Sequence, residues 1–440
     1  MEQNTQEQQE RREARRKRRV RNQILAYVTV IVFILAVAVG IVFGVRYLTV
    51  ESRKKEQEKQ DQMEELLGKE DDLEEPSTDQ EPGETVAELT PQQKLDEIVN
   101  AGIEVMPLED KVAGLFIVTP ESITGVSTAV KAGDGTKEAL TKYSVGGIVY
   151  HTKNIQSETQ FKEMIDNTRL YANYPLFIAV ADEGGSVSPL EEKGLAAKQE
   201  GAKALGESGD PAKAYEAGSA IGGYLADYGF NLNFAPVADI SSVDNSIMAN
   251  RVYGSDASVV SPYVSSMIQG LKEQNVSACL KHFPGMGATA QDVNAGLAGT
   301  DRSAEDFRAN EFTVFKAGID AGADMVMVSH MAAPSLTGDN TPCSMSSAVV
   351  TDILRRELGF DGVIITDAMD VAAVSEYYDA GDAAVQALRA GCDMILMPED
   401  FEKAYNGVLE AVQNGVISEE RVNDSLRRIY RIKYADRMTE

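Results

Sequence analysis

Histidine and cysteine are scarce in this 440-residue chain, with three of each. His151, His282 and His330 are too few for a histidine-rich metal centre. Cys279, Cys343 and Cys392 are odd in number, lack metal-type spacing and offer no disulfide framework. Cys279 and Cys392 lie in or beside apolar runs and read as inert core thiols. Basic patches are absent beyond the N-terminus and the formal charge is −27, which excludes nucleic acid as the expected partner. A Gly-x-Gly-x-x-Gly fingerprint is missing after the first apolar run, which argues against a dinucleotide site. No metal or other cofactor is expected.

What the chain does have begins with a dense basic block, Arg11 to Arg21, followed by the uncharged apolar run Ile24 to Val45. As a helix the run would rise about 33 Å, enough to cross a bilayer core. It is too long for a signal-peptide core and has no convincing small-x-small cleavage site. The expectation is a cytoplasmic tail (1–23), a single transmembrane helix (24–45) and an extracytoplasmic remainder, because the basic block stays inside. Residues 46–91 are polar and mostly acidic, with breaks at Pro76 and Pro82-Gly83, and read as a stalk.

From about residue 92 to 440 the composition is that of a globular domain. Eight apolar, β-branched runs alternate with amphipathic segments: Gly114 to Val118, Gly147 to Tyr150, Leu176 to Ala181, Leu232 to Pro236, Val276 to Leu280, Asp324 to Ser329, Val363 to Thr366 and Asp393 to Pro398. Continuous apolar strands separated by helices indicate a parallel sheet covered on both faces. Eight of them favour an α/β fold of the single (β/α)8 TIM-barrel type over an open doubly wound sheet.

In such a barrel the chemistry sits at the C-terminal mouth, so the polar residues ending each run are the informative ones. They are Asp182-Glu183-Gly184-Gly185 after the third run and Asp239, Asn245 and Arg251 after the fourth. Lys281 and His282 follow the fifth, Ser329 and His330 the sixth, and Thr366-Asp367 the seventh. Together they would bring carboxylates, cations and imidazoles to one rim, a set suited to a polyol. Phosphate would prefer Gly-rich turns after the last two strands, where Met397-Pro398-Glu399-Asp400 is acidic.

These residues also carry a resemblance. Lys-His-Phe-Pro-Gly (281–285), Asn-x-Asn-Phe-Ala-Pro-Val-x-Asp (231–239), the segment from Asn245 to Gly254, Glu-Gly-Gly (183–185) and the segment from Arg355 to Asp367 are similar to motifs of glycoside hydrolase family 3. The branch they resemble is that of the single-domain bacterial β-N-acetylhexosaminidases. The resemblance implies retaining hydrolysis of β-linked N-acetylglucosamine, with Asp367 as the nucleophile that forms a covalent glycosyl-enzyme. It also implies that Arg251, Lys281 and His282 hold sugar hydroxyls.

The chain departs from that pattern where the family carries its acid/base histidine: Asp292-Val293-Asn294 stands in place of Asp-Ser-His, and an amide cannot shuttle the catalytic proton. Ala181 and Ser186 replace a sugar-binding aspartate and an arginine, with Asp182 a partial substitute for the former. Asp292 or Glu183 is then a substitute acid. Three readings follow from the sequence. The first is a membrane-anchored hydrolase of N-acetylglucosamine-containing cell-wall glycans. The second is a weak or inactive homologue that binds such glycans, and the third is an unrelated barrel acting on phosphorylated metabolites.

Overall fold

A computed structural model describes residues 89–435. The expected tail, membrane span and nearly all of the stalk precede Leu89 and lie outside the described residues. Among the described residues no helix is long and apolar enough to cross a membrane. The first helix, Pro91–Glu104, starts at a reciprocal cap. The Gln93 amide donates to the Thr90 hydroxyl (3.3 Å), and the Gln93 side chain accepts from the Thr90 amide (2.9 Å).

The eight apolar runs form eight parallel strands closed into a barrel in sequence order. They are β1 (Phe116–Val118), β2 (Gly147–Val149), β3 (Phe177–Val180), β4 (Leu232–Asn233), β5 (Ser277–Phe283), β6 (Met325–Val328), β7 (Val363–Ala368) and β8 (Met394–Leu396). Closure is by the β1–β8 ladder, which pairs Phe116 with Ile395. Strands hydrogen-bonded on both edges and covered by helices bury nearly all their side chains, Ser277, Asp367 and Ala368 being the partly exposed ones, so their sequences run apolar without alternation. The three cysteines are buried and free.

β4 is only two residues long, and its neighbourhood is completed by asparagine side chains. Asn231 accepts from the Ile178 amide (2.7 Å) and donates to the Leu176 carbonyl (3.0 Å). Asn233 does the same for the Asp182 amide (2.9 Å) and carbonyl (2.8 Å). The Asn-x-Asn motif thus supplies ladder bonds that a short strand cannot.

Two helical segments depart from a simple reading. The stretch 304–321 is broken at Asn310 into Ala304–Ala309 and Glu311–Asp320. Buried Glu311 takes the Arg302 Nε (2.9 Å) and the Ser242 hydroxyl (3.2 Å) there. Ala348–Glu357 is a wide helix rather than an ordinary α-helix; its exit bond runs five residues, from the Leu358 amide to Ile353.

Opposite the mouth, buried Asp393 gathers three arginines. It accepts from Arg355 (2.6 Å) and Arg428 (3.2 Å), from the Ser425 hydroxyl (2.8 Å) and from the Ile364 amide (3.0 Å), with Arg421 at 3.5 Å. Removing one member of a buried charge cluster leaves the others uncompensated. Asp393→Ala should therefore lower the unfolding free energy by about 3–5 kcal/mol in chemical denaturation. A loss below about 1 kcal/mol would show that the arginines are satisfied without it.

Candidate active site

Lys281 and His282 lie inside the last residues of β5, which runs three residues further than its apolar run. The Ala238 amide donates to the Lys281 carbonyl (2.6 Å), and the Lys281 amide donates to the Pro236 carbonyl (3.2 Å). The chain after β4 therefore runs beside the end of β5. The peptide between Lys281 and His282 is cis. The turn that follows lies against the β4 loop, since a Cβ on Gly287 would stand 1.8 Å from the Ile240 carbonyl oxygen. Only glycine permits that approach.

Glu183 is the hub of the mouth. Its carboxylate is gripped by Arg251 through Nε (2.9 Å) and Nη2 (2.6 Å), and by Lys281 Nζ (2.6 Å). It is buried, as is Lys281. Burial alone would raise its pKa; the Lys281 charge and then the Arg251 contacts more than reverse this and hold it at about 2. A carboxyl so acidic is a poor proton donor at neutral pH, which removes Glu183 as the substitute acid.

His282 is held differently. Its Nδ1 meets Asp239 Oδ2 at 2.7 Å, and since a carboxylate only accepts, Nδ1 carries the proton. Asp239 is fully buried, and its other oxygen takes the Met286 amide (2.6 Å). This fixes the imidazole plane and leaves Nε2 as the functional nitrogen.

Asp367 ends β7 half-buried, with Oδ1 accepting from the Ala368 amide (2.8 Å). Its Oδ2 has no hydrogen-bond partner among the described residues. Burial is the leading influence on Arg251 and opposes its charge. The hydrogen bonds and charge of Glu183, followed by the more distant charges of Asp239 and Asp367, overcome this and raise its pKa. The backbone carrying Asp367 is braced by His330. Its Nε2 donates to the Ala368 carbonyl (3.0 Å), and its Nδ1 accepts from the Ser344 hydroxyl (2.7 Å). Burial lowers the pKa of His330, consistent with this neutral tautomer. That support role was not read from the sequence, although Ser329-His330 at the end of the sixth run was a visible signal.

Two expected residues fall elsewhere. Asp182 is turned away from the mouth towards the helix Ala212–Asp227, where its carboxylate accepts from Tyr224 (2.9 Å), Ser188 (3.0 Å) and the Gly184 amide (3.2 Å). Burial pushes its pKa up to about 6. Side chains alternate along a strand end, so Ala181 and Glu183 share the inner face and Asp182 takes the outer one. Asp182 is a structural carboxylate, not a stand-in at Ala181. Asp292 is exposed on the loop after β5 and accepts from the Asn294 amide (2.9 Å) and side-chain amide (2.8 Å). That loop reaches the segment after β7, where the Ala373 amide donates to the Val293 carbonyl (3.1 Å). Among the described residues no hydrogen bond or ion pair links Asp292 to Asp367, Arg251 or Lys281.

Residues 107–432 match the profile of the glycosyl hydrolase family 3 N terminal domain. The chain belongs to glycosyl hydrolase family 3. It is 29% identical over 326 residues to the beta-hexosaminidase A of Pseudoalteromonas piscicida, covering 67% of this chain and 54% of that protein. It is 33% identical over 278 residues to a beta-hexosaminidase of Stenotrophomonas maltophilia strain R551-3, covering 60% and 80%. A family 3 beta-N-acetylglucosaminidase from Paenibacillus sp. str. FPU-7 superposes with a TM-score of 0.72 at 34% identity, over 76% of this chain and 64% of that one. The chain thus spans little more than half of the first relative and under two thirds of the last.

The Glu183 hub makes a pH-dependent prediction. A carboxyl whose folded pKa is depressed contributes stability that is full above its unfolded value and is lost as pH falls through the folded one. Glu183→Gln should destabilise the fold by about 3 kcal/mol at neutral pH. The difference from the parent should shrink as pH drops from about 4.5 towards about 2. A difference that is constant across that window in denaturant melts would mean that the ion cluster does not form.

Proposed function

We propose that the barrel mouth is a retaining glycosidase site for β-linked N-acetylglucosaminyl units of cell-wall-type glycans, with Asp367 as the nucleophile. The observation that carries this reading is the carboxylate of Asp367. One oxygen is tethered by a backbone amide and the other has no described partner, while the flanking cations are already committed to Glu183. An ionised carboxylate that is oriented and not neutralised by a close ion pair is suited to attack an anomeric carbon. Arg251, Lys281 and His282 would hold the sugar hydroxyls, through the remaining N–H groups of Lys281 and the Nε2 of His282. The family relatives, named as hexosaminidases, support the same substrate class. The basic block and apolar run before residue 46 support a single-pass anchor, with the barrel outside the cytoplasm.

Proton transfer is the altered part. Asn294, which stands in the sequence where the resemblance implies a histidine, donates its side-chain amide to Asp292 (2.8 Å). General acid assistance is typically worth about 10² to 10⁴ in rate. The site should therefore favour glycosides whose leaving group needs no protonation. A second reading, a carbohydrate-binding protein with little or no turnover, is favoured by the same pair, because Asp292 is exposed and already occupied by Asn294.

One experiment separates them. Hydrolysis of an aryl N-acetyl-β-glucosaminide should be measurable and should fall by more than about a thousandfold in Asp367→Asn. The unactivated disaccharide should be cleaved far more slowly. Asn294→His, placed to donate to the same Asp292 oxygen, should raise disaccharide turnover by at least about tenfold. Aryl hydrolysis that survives Asp367→Asn would overturn the nucleophile. No hydrolysis of either substrate by a chain that binds sugar would leave the binding reading.

A further inference from the structure

Glu311 is a buried carboxylate that the chemistry at the mouth does not use. It opens the helix Glu311–Asp320 and is fully buried. That helix packs behind the end of β5, where Phe283 stacks on Phe312 (ring centroids 5.3 Å apart) and meets Phe315 edge-on (5.0 Å). The Glu311 side chain is thereby delivered to the turn that follows His282. A Cβ on Gly285 would collide with the Glu311 Cγ, so the turn and the side chain are in close contact.

The carboxylate joins three segments. One oxygen accepts from the Ser242 hydroxyl (3.2 Å), on the loop after β4, and the other from Arg302 Nε (2.9 Å), at the far end of the loop after β5. Gly285 and Arg302 are the two ends of that loop, so one side chain closes it. Ser242 also donates its amide to the Gly287 carbonyl (3.3 Å), and the Arg302 carbonyl accepts from the Ser335 hydroxyl (2.6 Å) on the segment after β6. Between Gly285 and Gly287 lies Met286, whose amide donates to Asp239, the carboxylate that orients His282. The contacts of Glu311 thus reach the imidazole through one backbone amide. Burial pushes the Glu311 pKa up to about 7 against the pull of Arg302. A buried ion pair of this kind is a poor source of stability compared with apolar packing. What it supplies is position.

We propose that Glu311 is a positioning residue for the sugar site: it closes the loop between Gly285 and Arg302, holds the Met286 amide against Asp239, and so sets the direction of His282 Nε2. This role rests on the glycan reading of the mouth given above, and adds a residue that acts on sugar affinity without touching sugar.

The test uses the full-length chain with Glu311→Gln, which keeps the shape and removes the charge, and with Ser242→Ala, which removes one partner and leaves Glu311 in place. Hydrogen exchange, which needs no sugar, should be about tenfold faster across residues 286–300 in both variants, while the strand amides exchange as in the parent. Calorimetry with N-acetylglucosamine should show Kd raised about tenfold in Glu311→Gln, with the number of sites unchanged. A merely structural role would instead lower the number of sites and leave Kd as it was. In a His282→Gln background, Glu311→Gln should weaken binding by less than about twofold more, because its effect passes through His282. Unchanged loop exchange in both variants, or a full tenfold loss in the His282→Gln background, would overturn the positioning role. A parent that binds sugar with a Kd unaltered by Glu311→Gln would overturn it too, while leaving the glycan reading intact. A parent that binds no sugar would overturn both.

Discussion

Everything at the mouth depends on one buried carboxylate shared by two cations. Glu183 comes from the end of β3, Arg251 from the long loop after β4, and Lys281 from β5. A buried charge is tolerable only when paired and hydrogen-bonded, so none of these three can leave without stranding the others. The ion cluster therefore ties the segments that follow β3 and β4 to the end of β5. Asp239 and His282 extend the same bracing one step along the rim. The result is a rigid frame on which Asp367 stands, at the end of the seventh strand, with its own backbone held by His330.

This arrangement separates structural charge from reactive charge. Glu183, although it sits in the mouth, is held far below neutral pH by its partners and serves as scaffold. Asp367 has one oxygen tethered to the Ala368 amide and the other without a hydrogen-bond partner among the described residues. Preorganised sites of this kind stabilise developing charge because their dipoles need not reorganise during reaction. Under the proposed retaining reaction the transition state is oxocarbenium-like and positive, and Asp367 is the carboxylate that would stabilise it. What the frame lacks is an imidazole on the loop after β5.

The barrel was legible because its physics is local: each strand is buried on both faces, and burial writes itself as an unbroken apolar run. The run Val363 to Thr366 and the polar residue after it located Asp367 without any tertiary information. The pairing of Arg251 with Glu183 spans 68 positions and leaves no local signature. Adjacent Asp182 and Glu183 look equivalent in sequence, yet one faces the helix layer and the other the mouth. Strand register decides between them, and register is a property of the closed sheet. The break at Asn310 was equally hidden, because apolar periodicity continues across it while buried Glu311 is drawn to Arg302 and Ser242.

The proposed reaction requires that Asp367 bond covalently to the sugar. Intact-mass spectrometry of the chain, quenched during turnover of an activated N-acetyl-β-glucosaminide, tests it most directly. The account predicts an adduct of one N-acetylglucosaminyl unit, mapped by peptide digestion to the segment containing Asp367. An adduct on another residue, or none at all while sugar occupies the mouth at saturation, would contradict it.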